Sequence, residues 1–359
     1  AMVRLLTKLL KDPEVGEFIV PIVPDEARTF GMDALFKVAG IYSPDGQRYT
    51  PVDAEALNTY REAIDGQILQ EGICEAGAIA SFIAAGTAYA TFAVPTIPFY
   101  IFYSMFGFQR VGDMIWASAD MMARGFLLGG TAGRTTLNGE GLQHQDGHSP
   151  ILASTVPSVR TYDCAFAWEL AILVRFGIQR MFVEDHDELF YLMMYNEALH
   201  MPARPAHEDL DEGVVRGGYM LEPATGDGPR VNLLGSGTIL FEVMQAAATL
   251  RAEGYSVAVY SITSYVELAR DAERAEQAGT ADAEPAWLDT IFPETNVPTV
   301  AVTDYVRALP RMIASWITGP FTALGTDGFG MSERRSDLRA HFKVDAASIA
   351  DAARGLTAS

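Results

Sequence analysis

The chain has 359 residues, 49% of them apolar and 20% charged, with 26 Lys and Arg against 46 Asp and Glu and a formal charge of -20. This composition supports a sizeable core and excludes disorder, and the length suits about two domains of roughly 100–200 residues each. The acidity argues against a nucleic-acid backbone or an anionic membrane as the main partner, and two distant cysteines, Cys74 and Cys164, make neither a disulfide framework nor a metal cluster, so a reducing compartment, the cytoplasm, is expected.

The opening AMVRLLTKLLKDPE is amphipathic. Lys8 and Lys11 interrupt its apolar run and no small-residue cleavage site follows, unlike a secretory signal. Phe18 to Val23 reads as a strand ending at Pro24. Residues 76–109 carry no charge and are long enough for a membrane span, but Pro95, Pro98, Gly86 and Gly107 interrupt them. They read instead as a buried helix from Glu75 to Thr91, a turn, and a buried strand from Ile97 to Tyr103. Val111 to Gly125 is predicted as a second helix, Gly129 to Pro150 as a polar loop, and Tyr162 to Phe176 as a helix. Leu189 to Tyr195 is a nearly continuous apolar strand, the pattern of a strand covered on both faces.

The run MPARPAHEDLDE, residues 201–212, breaks this pattern with two prolines and four acids. It suggests a domain over residues 1–204, a linker over 205–215 and a second domain over 216–359. Past it, Arg230 to Leu234, Tyr255 to Ser261, Thr299 to Thr303 and Thr322 to Gly325 read as strands, and Thr238 to Ala252 as a helix. Asp271 to Pro285 reads as an exposed helix or loop. Short strands alternating with helices imply an α/β fold of two doubly wound domains with parallel sheets.

Several groups are candidates for chemistry. Glu75 stands four residues after Glu71, so a continuous helix would put both carboxylates on one face. The apolar residues after Glu75 are expected to draw it into the interior, where a carboxylate needs a proton or strong hydrogen bonds. The loop RTTLNGEGLQHQDGHSP holds Glu140, His144, Asp146 and His148. His144 and His148 have the spacing of two helical metal ligands, but Gly141 and Gly147 argue against a helix and no third ligand is near. Gly235-Ser236-Gly237 follows a strand and opens a helix, yet Leu240 replaces the third glycine of a dinucleotide fingerprint, so a tight turn is expected. Gly226-Asp227-Gly228 looks like a magnesium–diphosphate motif without its paired asparagine and is read as a turn.

The segments PDEARTFGMDALF, GIYSPDGQRYTP, GQILQEGI, IPFYIFYSMFGFQRVGD, RTTLNGEGLQHQDGHS, LLGSGTIL and LGTDGFGMSERRSDLRAHF resemble, in the same order, the homodimeric bacterial pyruvate dehydrogenase family, the decarboxylating first component of the pyruvate dehydrogenase complex. The resemblance implies thiamine diphosphate chemistry in the transketolase-like superfamily. It implies a pyrimidine-binding domain followed by a transketolase C-terminal-like domain. The diphosphate- and magnesium-binding domain of the family is expected to be absent, which makes the chain an excised fragment or one subunit of a split enzyme, inactive alone. By this resemblance Glu75 hydrogen-bonds the aminopyrimidine ring, Ile73 props the bent cofactor, Tyr103 and Phe106 form the aromatic wall, and His144 positions substrate or shuttles protons. Asp25 and Glu140 are weaker carry-overs near the same centre, and no metal ligand is expected on this chain. The expected partners are the diphosphate-binding domain or subunit and the dihydrolipoyl acetyltransferase component, in a homodimer or heterotetramer.

Two other readings stand beside this one. A non-catalytic module for dimerisation and docking would have no need of Glu75 and His144. A transketolase-like enzyme acting on sugar phosphates would need basic clamps, for which these segments offer only Arg110 and Arg134.

Overall fold

Runs of β-branched and aromatic residues set the strands of a computed structural model that describes residues 1–24, 30–51, 60–138, 141–206, 209–279 and 284–358. The chain divides into two compact units, one made of Ala1–Thr131, Thr155–Val159 and Val174–Met194, the other of Ala132–Ser154, Arg160–Leu173 and Tyr195–Ser359.

Five strands of the first unit are β1 (Ile19–Val23), β2 (Leu69–Gln70), β3 (Ile97–Tyr103), β4 (Gly125–Gly130) and β5 (Leu189–Met193). They lie in the order β2-β1-β3-β4-β5 and every pair is parallel. β3, β4 and β5 are buried along nearly their whole length, so they show no polar alternation. Helix α1 (Glu75–Gly86) packs on β3 and β1. Its Ala-rich run favours helix, but non-helical backbone at Thr87 ends it, so the single helix expected to reach Thr91 is two, the second over Ala88–Phe92. Helix α2 (Gly107–Asp120) follows β3 through a short turn and packs on α1.

In the second unit, β6 (Tyr219–Glu222), β7 (Arg230–Gly235), β8 (Ser256–Ser261), β9 (Thr299–Val302) and β10 (Phe321–Leu324) lie in the order β10-β9-β7-β8-β6. All pairs are parallel except β8 with β6. Helices α3 (Ile239–Ala252) and α5 (Ala346–Thr357) cover one face, over a core that includes Val231, Leu233, Val243 and Ile349. Between them in sequence, α4 (Tyr265–Ala278) starts at Ser264, whose hydroxyl accepts the Glu267 N–H at 2.9 Å.

Three expectations here need correction. Glu71 lies before α1, not on it, so it shares no helical face with Glu75; it accepts a hydrogen bond from Ser81 instead. The second helix spans 107–120 rather than 111–125, because 125–130 form a strand. Residues 159–162 are a strand, and the helix expected from Tyr162 starts at Ala167. The segment from Asp271, expected as an exposed helix or loop, is the second half of α4 as far as Ala278. Among the described residues no helix is long and apolar enough to cross a membrane.

Candidate functional site

Ligands of parallel α/β sheets collect at the carboxyl ends of the strands. In the first unit Glu75 follows β2 closely and is the first residue of α1. Cys74 before it has extended backbone, and its Sγ accepts the Gly77 N–H at 3.4 Å. An acid in this first turn suits the helix dipole. The Glu75 side chain is 14% exposed, so most of it is shielded from water although it stands at the helix start. Arg110 donates to Glu75 Oε1 at 2.6 Å, and no hydrogen bond from a described residue reaches Oε2.

Arg110 belongs to α2, and its guanidinium lies 3.9 Å from the centre of the Phe106 ring. Tyr103 ends β3. Its ring meets Phe106 edge-on at 6.0 Å and Phe30 at 5.0 Å. One layer down, the Tyr100 hydroxyl donates to the Glu75 backbone carbonyl at 3.4 Å, and burial, with the Glu75 charge, pushes the Tyr100 phenol up. Ile73 is 69% exposed, a large apolar side chain left uncovered two residues before Glu75. The first unit therefore gathers Ile73, Glu75, Tyr103 and Phe106 at one end of its sheet, with Arg110 tying the carboxylate to the aromatic wall. The role of Arg110 as partner was missed from sequence. The signal was there: it is the first charged residue after Glu75.

His144 belongs to the second unit. It closes a 3-10 turn over Leu142–His144 and is half-buried. Gln145 beside it is buried, donates to the Leu137 carbonyl at 2.7 Å and accepts the Met331 N–H at 2.7 Å. Asp146 is wholly buried. It accepts the N–H groups of His148 and Ser149, each at 2.9 Å, and the Ser149 hydroxyl, so it caps the helix Ser149–Ser154. His144 and His148 therefore do not share a helix, and among the described residues no three His, Cys, Asp or Glu come together as for a metal ion. Arg134 is buried and donates to the Thr326 carbonyl; burial lowers its pKa. Asp25 and Glu140 lie outside the described residues.

The glycine motifs are structural. Gly226, with φ of 86°, is part of a turn before β7. Gly237, with φ of 51°, closes the turn that opens α3. Its neighbour Ser236 donates to Asp163 Oδ2 at 2.6 Å, and Tyr195 donates to Oδ1 of the same carboxylate. Asp163 is fully enclosed, and burial pushes its pKa up to about 7. Asp304, likewise enclosed and pushed up by burial, accepts four bonds of 2.7–3.0 Å from the N–H and hydroxyl groups of Thr135 and Thr136. Neither aspartate was found from sequence, because their partners come from remote segments.

Residues 1–202 match the family described as pyruvate dehydrogenase E1 component middle domain, and residues 217–345 match the transketolase-like TK C-terminal domain. The pyruvate dehydrogenase E1 component of Corynebacterium glutamicum is 51% identical over 356 residues, covering 97% of this chain and 38% of that protein. That of Escherichia coli K12 is 49% identical over 361 residues, covering 99% of this chain and 40% of that protein. The chain thus spans about two fifths of the length of these relatives. The crystal structure of transketolase from Campylobacter jejuni superposes with a TM-score of 0.72 at 14% identity, over 98% of this chain and 45% of that one. The fold is transketolase-like α/β with parallel sheets.

Proposed function

This chain belongs to the pyruvate dehydrogenase E1 component middle-domain family, and from that premise we propose that it is the aminopyrimidine-side part of an E1 component. Residues 1–204 would form the pyrimidine-binding domain, 205–215 the linker and 216–359 the C-terminal-like domain. The reaction is the oxidative decarboxylation of pyruvate with acetyl transfer to a lipoyl group. It requires a separate domain or subunit to hold the cofactor diphosphate and magnesium. The assembled dimer or heterotetramer passes its product to a dihydrolipoyl acetyltransferase in the cytoplasm.

The observation that carries this reading is the Glu75 carboxylate, anchored on one oxygen by Arg110 and open on the other, beside an uncovered Ile73. Such a carboxylate suits an aminopyrimidine ring nitrogen, and the rings of Tyr103 and Phe106 suit the face of a heteroaromatic ring. Thiamine diphosphate, when bound, supplies a carbon nucleophile and an electron sink for the loss of carbon dioxide. Glu75 Oε2 would share a proton with the ring nitrogen, as a general acid–base. Arg110 would hold Oε1 still while that proton moves. Ile73 would support the cofactor's bent shape, and His144 would position substrate or relay a proton. Asp25 and Glu140 are proposed near the same centre.

The test is to assemble the chain with a diphosphate-binding partner and measure pyruvate decarboxylation. Glu75→Ala should lower turnover by at least about a hundredfold. Undiminished turnover in that variant sinks the assignment. Thiamine diphosphate should bind the isolated chain weakly and the assembly tightly.

A further inference from the structure

Arg134, in the second unit, is 3% exposed, yet its guanidinium makes a single hydrogen bond among the described residues, from Nη1 to the Thr326 carbonyl. Nε is shut off from solvent and has no partner, and no described carboxylate pairs with the group. A buried cation without an anion is far more costly than a buried neutral polar group. Thr326 is itself fixed: its N–H donates to the Tyr305 carbonyl and its hydroxyl to the Asp304 carbonyl, each at 2.8 Å. Gly147, three residues after His144, lies against the guanidinium. A Cβ added there would run into Cζ first, then Nη2, then Nε. A point nearest the central carbon lies over the flat face, since one beyond an edge would be nearer the nitrogens. Gly147 therefore covers a face, Thr326 takes Nη1, and the edge formed by Nε and Nη2 is left without an acceptor.

The shape and charge of that edge narrow the ligand. Two parallel N–H groups in one plane match two oxygens of a carboxylate or a phosphate. Chloride, a single atom, cannot meet both N–H groups along their axes. Three acids lie within electrostatic reach, Asp146, Asp304 and Asp327. Each is committed elsewhere: Asp146 to the N–H groups of His148 and Ser149, Asp304 to Thr135 and Thr136, and Asp327 to Arg307 at 2.6 Å. They offset part of the charge at range without meeting the N–H groups. They also repel a dianion twice as strongly as a monoanion, which disfavours phosphate. Because Nε is closed off, the ligand must be small. We propose that the Nε–Nη2 edge of Arg134 binds a small monocarboxylate, of formate or acetate size, against the loop that carries His144. The bound ion neutralises the buried guanidinium and gives both N–H groups an acceptor.

The test is titration of the 359-residue chain with sodium acetate and with acetamide, which has the same shape without the charge, while sodium chloride holds the ionic strength constant. Binding is followed by thermal melting and by the magnetic resonance signals of the arginine Nε–H groups. Acetate should raise the melting temperature saturably and shift one Nε–H signal, and acetamide should do neither. Phosphate should bind at least about tenfold more weakly than acetate. Arg134→Lys, which keeps the charge and loses the planar edge, should weaken acetate binding at least about tenfold and remove the shifting signal. Gly147→Ala should push the guanidinium aside and weaken binding likewise. If Arg134→Lys does not fold, the acetate and acetamide titrations of the unaltered chain decide alone. Absence of a saturable acetate effect at millimolar concentration overturns the proposal. So does an equal response to acetamide or phosphate, or full acetate affinity in folded Arg134→Lys.

Discussion

Arg110 grips Glu75 Oε1 at 2.6 Å while its guanidinium rests 3.9 Å from the centre of the Phe106 ring. One side chain thus fixes both the acid and the aromatic wall of the first unit's site. Because the Arg110 side chain is 48% exposed, the pair contributes little to folding. Arg110→Met should lower the unfolding free energy, read from urea melts, by less than about 1 kcal/mol. In the assembled enzyme it should lower turnover at least about tenfold, since a loosely held acid is poorly oriented. Arg110→Lys should recover part of this, keeping the charge but not the flat ring contact. Unchanged turnover in Arg110→Met would reduce the pair to a surface ion pair.

The pH dependence of stability should be set by the buried acids of the second unit. Burial raises the Asp163 pKa to about 7, against an ordinary value of 3.8. The folded chain therefore holds this proton over a range where the unfolded chain has lost it. Stability from this group is complete below about pH 4 and is lost as pH rises through about 7, a change on the order of a few kcal/mol. Asp304 and Glu169, also raised by burial, act in the same direction. Urea midpoints measured from pH 4 to 8 should fall with pH. Asp163→Asn, which can still pair with Tyr195 and Ser236, should flatten that slope; an unaltered slope would move the effect to the other two acids.

The elements that sequence revealed are those whose signal is local. Ile97 to Tyr103 is a strand with the expected bounds because seven consecutive residues are apolar or proline, and only a strand covered on both faces accommodates so short a run. Gly125–Gly130 was hidden because three of its six residues are glycine, which reads as loop. The folded chain gives the reason for two of them: an added Cβ at Gly129 would meet the Tyr191 hydroxyl at 2.5 Å, and one at Gly130 would run into the Phe30 ring. Glu75 was legible as the start of an apolar helix. Its degree of exposure was not, because that depends on where the helix begins and on a cation thirty-five positions away. Asp163 and Asp304 gave no local signal at all, since Ser236, Tyr195, Thr135 and Thr136 reach them only in the folded chain.

Asp146 should matter through its cap rather than through a metal. Removing its carboxylate leaves the N–H groups of His148 and Ser149 and the Ser149 hydroxyl without their acceptor in a buried place. Asp146→Ala should cost about 2–3 kcal/mol of stability. Asp146→Asn, which retains one carbonyl acceptor, should cost less. Equal, negligible losses in both, read by thermal melting, would remove the capping role. Addition of zinc or magnesium should leave the melting temperature of the unaltered chain where it was.

Gly237 tests the reading of the Gly-Ser-Gly run as a turn locked by a buried acid. Its φ of 51° is costly for other residues, and an added Cβ would also run into the Tyr195 hydroxyl and lie 2.5 Å from Asp163 Oδ1. Gly226 has a comparable φ of 86° but nothing within 4 Å of the added carbon. Gly226→Ala should therefore show the backbone cost alone, about 1 kcal/mol. Gly237→Ala should lose about 3 kcal/mol or more, the excess coming from overpacking against the acid network. Introducing Tyr195→Phe alongside Gly237→Ala removes one of the clashing atoms, so the two changes should be less damaging together than their separate losses sum to. Strict additivity in the urea midpoints, or equal losses at Gly226 and Gly237, would show that the network has room to give and that the turn does not depend on it.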